Sequence, residues 1–425
     1  MATQVTPPRG MRDFLPADKR RRERVLSIIR ETYRSHGFDE IETPVVEDSS
    51  RLHAGLGGDN EKLAYGVLKR GLTVDDLHAA TEPLDLADLG LRYDLTVPLT
   101  RFYASHHAEL PGVFRAIQLA PVWRAERPQK GRFRQFVQCD IDIIGEASHL
   151  AEGELLTATI AALRALGLEG VTVRVNDRRL LASMLTVLGF PAGEHANVLI
   201  TVDKLDKIGP DGVIEELRDR LFPAEPVDAL EAFLRRPITL EYLEFGERAI
   251  RKLRPEGVDE KAVAELASLA EALGEDERRM LRFDPFLVRG MGYYTGTIME
   301  VSHPDLPYSL AGGGRYDGMV GRFLGTDVPA VGMSIGFERI VDLVTLPDGD
   351  GEDAVALLYD DGTTAAELLA LKRALLATGS RVRVDKRPKR MNSLLHQLAA
   401  SGFSRFATVS HGSTLDSLEF KPLHR

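Results

Sequence analysis

The stretch Arg115–Gly145, RAIQLAPVWRAERPQKGRFRQFVQCDIDIIG, restricts the fold of this chain more than any other. Two strand-like runs flank RPQKGR, and Lys130-Gly131 supplies the turn of an antiparallel hairpin. Side chains alternate along a strand. The second run therefore puts Phe133, Gln135, Val137, Cys139, Ile141 and Ile143 on one largely apolar face, and Arg134, Phe136, Gln138, Asp140, Asp142 and Ile144 on the other. The first run is expected to carry Arg124 and Glu126 together on one face. A sheet face open to water, common among antiparallel sheets, is one explanation of so much polarity. The other is a bound anion. Arg115, Arg124, Arg127, Lys130, Arg132 and Arg134 gather around Glu126 between apolar flanks, an imbalance of phosphate size. No GxxxxGK[ST] loop occurs, and no GxGxxG follows a strand. A nucleotide bound here is therefore expected to rest on arginines of an antiparallel sheet.

At about 150 residues per domain, 425 residues suggest two or three domains. Val25, Ile28 and Ile29 recur at helical spacing within 17–36, and Phe38–Val46 reads as a short strand carrying Pro44. Residues 149–167 look helical, and about 185–280 form a mostly helical, acidic insertion, after which 286–340 become glycine-rich and strand-like. LPDGDGED, 346–353, reads as a linker, separating 1–345 from a small α/β domain over 354–425. The single cysteine, Cys139, excludes an internal disulfide framework and a CxxC zinc site, and no metal site is expected from the protein's own residues. With no signal-like apolar segment and no long uncharged apolar run, a cytoplasmic location and no membrane partner are expected. The net charge of −10 argues against a nucleic-acid partner, but its distribution does not: from Asp353 onward the balance is +4, against −14 before it. Arg381, Arg383, Lys386, Arg387, Lys389 and Arg390 form a local basic stripe, readable as a solvated edge or as a phosphate-backbone surface.

The hairpin sequence also resembles motif 2 of class II aminoacyl-tRNA synthetases, in its histidyl-tRNA synthetase version. LVRGMGYYTGTIMEV (287–301) and AGGGRYDGMVG (311–321) are similar to the two signatures peculiar to that family, PAVGMSIGFERI (329–340) to class II motif 3, and GFDEIETPVVE (37–47) to motif 1. RYDLTVP (92–98), RGMRDFLP (9–16) and VRVNDRRLL (173–181) match too, nearer the archaeal and eukaryotic style. One departure stands out: Met291-Gly292 precede the tyrosine pair where the family has Leu-Asp, which removes an acid near Arg289. The C-terminal domain is expected to be shorter than is usual in the family, without its last helix, since little follows RFATVS and TLDSLEF.

The resemblance implies an α+β fold: a class II antiparallel-sheet catalytic core with a helical insertion, plus a C-terminal α/β anticodon-binding domain. It implies ligation of L-histidine to tRNA(His) through histidyl-adenylate, ATP as a substrate, Mg²⁺ on its phosphates, and, from motif 1, a homodimer. The catalytic residues carried over are Arg124 and Arg289 on the α-phosphate and Arg339 on adenine and the terminal phosphates. Glu126 would accept from the adenine amino group, Phe133 would stack on the base, and Arg132 completes the ATP site. Histidine would be held by Asp94, Leu95, Thr96, Gln138, Asp142, Tyr293 and Tyr294, with Asp142 accepting the imidazole N–H and the Tyr294 hydroxyl serving the other nitrogen. The basic stripe would meet tRNA.

Two other readings stay open on sequence. Gly332-Met333-Ser334-Ile335-Gly336 fits GxSxG, with Asp385 and His411 following in hydrolase order, although both lie beyond the linker and no oxyanion motif precedes Ser334. The other is a non-catalytic paralogue similar to the regulatory subunit of ATP phosphoribosyltransferase, against which Arg124, Arg289, Arg339 and the basic C-terminal domain weigh.

Overall fold

The computed structural model describes residues 5–53, 62–129, 131–236, 245–289, 292–346 and 353–423. Two compact units divide the chain: Met1–Arg12 with Leu26–Val344, and Asp13–Val25 with Thr345–Arg425. The expected first domain, 1–345, thus lacks residues 13–25, which group with the C-terminal unit. Most of the expected linker, 347–352, lies outside the described residues.

The chain opens with helix α1 (Pro16–Ser35). The single strand expected over Phe38–Val46 is instead two, β1 (Asp39–Glu40) and β2 (Val46–Asp48). Pro44 offers no N–H to a ladder, and the carbonyls of Thr43 and Pro44 are taken by Arg92 Nη1 at 2.7 and 3.3 Å. Then come α2 (Ser49–Leu52), β3 (Tyr65–Leu68), α3 (Val74–Ala79), β4 (Ala87–Leu91) and α4 (Thr96–His106). Strands β2, β4 and β3 make a small separate sheet. The hairpin follows as β5 (Phe114–Trp123) and β6 (Gln135–Ile144), then α5 (Leu150–Ala165), β7 (Thr172–Asp177) and α6 (Arg178–Val187). The insertion is helical as expected: α7 (His195–Val202), α8 (Leu205–Asp219, broken at Gly209-Pro210), α9 (Ala224–Leu234), α10 (Glu247–Leu253), α11 (Glu260–Ala272) and α12 (Glu275–Met280). Strands β8 (Leu281–Phe283), β9 (Thr297–Ser302) and β10 (Ala311–Arg315), helix α13 (Gly318–Leu324), β11 (Ala330–Gly336) and α14 (Phe337–Ile340) complete this unit.

Among the described residues, eight strands form its main sheet in the order β1-β5-β6-β11-β10-β9-β7-β8, antiparallel except for the edge pairs β1–β5 and β7–β8. Register decides which side chains share a row. Arg174, Glu300, Gly312, Ser334, Asp140 and Gln118 stand opposite one another across six consecutive strands. The adjacent row on the same face reads Asn176, Ile298, Gly314, Gly332, Asp142 and Ala116. On the opposite face Cys139, Ile141 and Ile143 are fully buried, and α5, with buried Leu155, Leu156 and Leu163, packs on β6 and β11. One sheet face is thus the core and the other is the floor of a polar site.

In the C-terminal unit, β12 (Ala354–Tyr359), α15 (Ala365–Ala377), β13 (Arg381–Lys386), α16 (Met391–Ala400), β14 (Arg405–Val409) and β15 (Lys421–Pro422) alternate. The sheet order is β13-β12-β14-β15, with only β15 antiparallel. Strand β12 is apolar throughout because both faces are covered. Val355 and Leu357 meet Leu368, Leu371 and Leu375 of α15, while Ala354, Ala356 and Leu358 meet Leu398 of α16 and Phe403.

Candidate active site

Two adjoining cavities open on the polar sheet face. The outer one, about 210 Å³, is lined by Arg124, Glu126, Arg132, Phe133, Arg289 and Arg339 among others. The inner one, about 120 Å³, is lined by Asp94, Thr96, Asp140, Asp142, Tyr293, Tyr294 and Tyr316 among others. Arg124, Gln138, Arg289, Gly312 and Ser334 border both.

Among the described residues, four arginines reach the outer cavity, two from the β5–β6 connection and two from distant segments of the chain. Arg124 follows the end of β5, where its Nε donates to the Tyr93 carbonyl at 2.9 Å. Arg132 sits 3.5 Å from Glu126 across a tight turn closed by the Arg132 N–H on the Gln129 carbonyl. Arg339, in α14, is fixed by the Ser309 carbonyl at 2.6 Å and the Ser309 hydroxyl at 3.1 Å. Arg289 Nη1 donates to Glu300 Oε2 at 2.5 Å. Its guanidinium lies over Gly312: a Cβ there would come within 2.6 Å of Arg289 Cζ. Burial, and then the neighbouring charges of Arg289, Arg132 and Arg124, lower the pKa of Arg339. Such a field favours an anion. Phe133 carries the Arg12 guanidinium 3.5 Å from its ring centre, and Arg12 also pairs with Glu338.

The inner cavity has the opposite character. Asp94, Asp140 and Asp142 are all nearly fully buried. Asp94 Oδ1 accepts the Val97 N–H at 3.1 Å at the start of α4. Tyr316 donates its hydroxyl to Asp142 Oδ1 at 2.6 Å. Burial raises the Asp142 pKa to about 7, with the Tyr316 bond opposing and the Asp94 charge adding. Asp140 is likewise pushed up, by burial and then by the Asp142 charge. Gln138 Nε2 donates to Ser334 Oγ at 3.1 Å and to Asp140 at 3.3 Å, while its Oε1 is buried with no hydrogen-bond partner among the described residues. Tyr293 and Tyr294 pack edge to face, ring centres 4.8 Å apart.

Several expectations need correction. Arg124 and Glu126 do not share a strand face, because β5 stops at Trp123 and both lie in the loop beyond it. The hairpin's polar face is not an exposed sheet surface, since Gln138, Asp140 and Asp142 are buried, and not all six cations line it. Arg115 stands at the far end, held by Glu154 at 2.6 and 2.7 Å, and Arg134 donates to the Glu126 carbonyl. Lys130 lies outside the described residues. Leu95 does not line the site: its side chain is fully buried in the core and its carbonyl accepts from Gln118. Ser334 sits within β11 rather than at a strand-to-helix elbow, and its hydroxyl accepts from Gln138.

The histidyl-tRNA synthetase family model matches residues 10–340. The histidine--tRNA ligase of Leifsonia xyli subsp. xyli is 58% identical over 428 residues, covering 100% of this chain and 99% of that one. The chain belongs to the histidyl-tRNA synthetase family. The crystal structure of histidyl-tRNA synthetase from Nostoc sp. PCC 7120 superposes with a TM-score of 0.76 at 25% identity, over 99% of this chain and 95% of that one. A Bacillus halodurans structure described as an ATP phosphoribosyltransferase regulatory subunit/histidyl-tRNA synthetase reaches 0.75 at 22% identity, over 97% of this chain and 100% of that one, and speaks for the fold alone.

In this histidyl-tRNA synthetase family member, sequence reasoning missed Tyr316, Asp140 and Glu300 as parts of the site. The signal for Tyr316 and Glu300 was present, since each lies inside one of the two family signatures. Asp140 shares its strand face with Asp142, but only the structure reveals its burial. Gly332 has a physical reason too: a Cβ there would fall 1.8 Å from Asp142 Oδ1. Gly332→Ala is expected to displace Asp142, raise the histidine KM of pyrophosphate exchange by at least ~10-fold and cost ~1–3 kcal/mol in denaturant unfolding.

Proposed function

We propose that this chain condenses L-histidine with ATP to histidyl-adenylate, releasing pyrophosphate, and transfers the histidyl group to the 3′ end of tRNA(His). The observation that carries the reading is the pair of adjoining cavities of opposite charge, with Arg124 and Arg289 in the wall they share. Asp142 accepts the imidazole N–H with the carboxylate oxygen not engaged by Tyr316, and the Tyr294 hydroxyl serves the other ring nitrogen. Asp94, Thr96 and the Gln138 Oε1 take the α-ammonium, which leaves the α-carboxylate at the shared wall.

There two anions must meet. As a carboxylate oxygen attacks the α-phosphorus, the negative charges repel and charge builds on the phosphoryl oxygens. Arg124 and Arg289 offset both effects from fixed positions, and the new O–P bond forms as pyrophosphate leaves. Arg339 and Arg132 hold the terminal phosphates, Glu126 accepts from the adenine amino group, and Phe133 packs on the base. Mg²⁺ fits as an ion that arrives on the triphosphate. Among the described residues no three His, Cys, Asp or Glu gather to hold a metal, while phosphates, water and a carboxylate or two satisfy this ion. When bound it screens phosphate charge.

Supporting a homodimer, the small sheet exposes Val46, Val67, Leu68 and Leu89, an apolar surface of the kind that partners cover. A cytoplasmic location accords with there being no described helix long and apolar enough to cross a membrane. Purified protein should catalyse ATP–pyrophosphate exchange with histidine in preference to every other amino acid by ~10⁴-fold. Absence of exchange would favour the non-catalytic paralogue.

For tRNA, the stripe has six cations. Arg383, Lys386 and Arg387 pair with Asp385, Asp361 and Asp360 at 2.6–2.7 Å, and Arg381 stacks on Phe403. Exposed pairs of this sort are weak and exchange readily for phosphate. Charge reversal across Arg381–Arg390 is expected to lower aminoacylation kcat/KM by ~10–100-fold near physiological salt, spare pyrophosphate exchange and flatten the salt dependence of tRNA binding. Equal loss of both activities would contradict that division.

A further inference from the structure

Asp206, at the start of the insertion helix α8, takes no part in the chemistry above, yet a chain of three ion pairs, through Arg174 and Glu300, joins it to Arg289. Arg289 Nη1 donates to Glu300 Oε2 at 2.5 Å. The other oxygen of that carboxylate lies 3.3 Å from Arg174 Nη1, which donates to Asp206 Oδ2 at only 2.7 Å. Arg174 Nε and Nη2 are both occupied by Asp284 Oδ2 at 2.6 Å. Arg174 and Glu300 are register partners on β7 and β9, and Glu300 is the partner of Gly312, over which Arg289 lies. The three charged groups therefore run along one row, and a shift at one end is passed on.

We propose that Asp206 is a positioning residue for Arg289: by drawing Arg174 Nη1 toward the insertion, it leaves the Glu300 carboxylate to hold the arginine that bridges the two cavities. The inference rests on the function proposed above. Its physical core is competition for one carboxylate. Charge-assisted N–H···O bonds settle near 2.7–2.9 Å, so the 3.3 Å contact from Arg174 to Glu300 is a loose one that closes once Asp206 is lost. Glu300 then turns toward Arg174 and Arg289 loses its orienting partner. Gly292, where the family carries Asp, supplies no carboxylate of its own, which makes the pose of Arg289 more dependent on Glu300. Asp203, at the C-terminal end of α7, adds a second insertion carboxylate whose charge acts on Arg289. Asp206 itself is 67% exposed, so its removal threatens the fold little.

The test is pyrophosphate exchange with the full-length chain. Asp206→Asn should lower kcat roughly 3- to 10-fold, with the KM values for histidine and ATP within about twofold and the melting temperature unchanged. Asp206→Glu should restore kcat. Glu300→Gln should lower kcat roughly 10²-fold, and the double variant Asp206→Asn/Glu300→Gln should be no slower than Glu300→Gln alone, because both act through one carboxylate. Wild-type kcat in Asp206→Asn, or additive losses in the double variant, would overturn the proposal. A wild-type chain without histidine-dependent exchange would instead overturn the function on which it rests.

Discussion

Arg289→Gln is expected to reduce kcat for histidine-dependent pyrophosphate exchange by ~10²–10³-fold, the loss typical of one preorganised donor aimed at developing charge. The side chain borders both cavities, and its guanidinium is held over Gly312 by Glu300. Its work falls at the transition state, where charge on the α-phosphoryl oxygens grows, so KM for either substrate should move much less than kcat. The fold should survive because Glu300 keeps Arg174 as a partner. Pre-steady-state adenylate formation and a thermal melt on the same sample separate chemistry from stability. A tenfold change in KM with an unaltered kcat would assign Arg289 to ground-state binding.

Asp142→Asn should be the most damaging change in the inner cavity. Asparagine preserves the outline and can still accept from Tyr316, but it turns an N–H₂ donor toward the imidazole N–H. Two donors facing each other in a buried site leave both unsatisfied, and histidine kcat/KM should fall by ~10²–10⁴-fold. Acidity gives a second handle. With its pKa raised to about 7, chiefly by burial, Asp142 loses its acceptor charge below neutrality. Exchange kcat/KM should therefore decline as pH falls through about 7, whereas Asp142→Asn should retain only the titration of the substrate ring.

The stability consequence has a definite sign. A carboxyl whose folded pKa lies above its unfolded value of about 4 favours the folded state least when ionised. The Asp142 contribution to stability should drop as pH rises from about 4 to about 7, then level off. Asp142→Asn should remove that contribution, leaving the one that buried Asp140 makes, and melt higher than wild type at pH 8, with the gap closing toward pH 4. An enzyme less stable than its inactive variant at working pH is what a site built for a cation by crowding carboxylates should produce.

Much of this was legible in the amino-acid order alone. Period-2 alternation in Gln135–Ile144 placed Gln138, Asp140 and Asp142 on one face, because strand geometry fixes that relation locally. The alternating apolar and helical segments after Asp353 gave the C-terminal α/β unit for the same reason. Composition within 185–280 announced the helical insertion, and the signature motifs marked Arg124, Arg289 and Arg339. What local order could not supply was distance between segments remote in the chain. Arg115 belongs to the same hairpin as Arg124, yet it spends its charge on Glu154 at the other end. Leu95 lies between two cavity residues, but backbone geometry turns it into the core. The rows from Arg174 to Gln118 and from Asn176 to Ala116 exist only once six strands are in register, and with them come the grip of Glu300 on Arg289 and the clearance Gly332 leaves for Asp142. Sequence set which faces are polar, since that depends on neighbours in the chain; tertiary pairing decided which charges meet, since that depends on register between strands the chain separates by up to some two hundred residues.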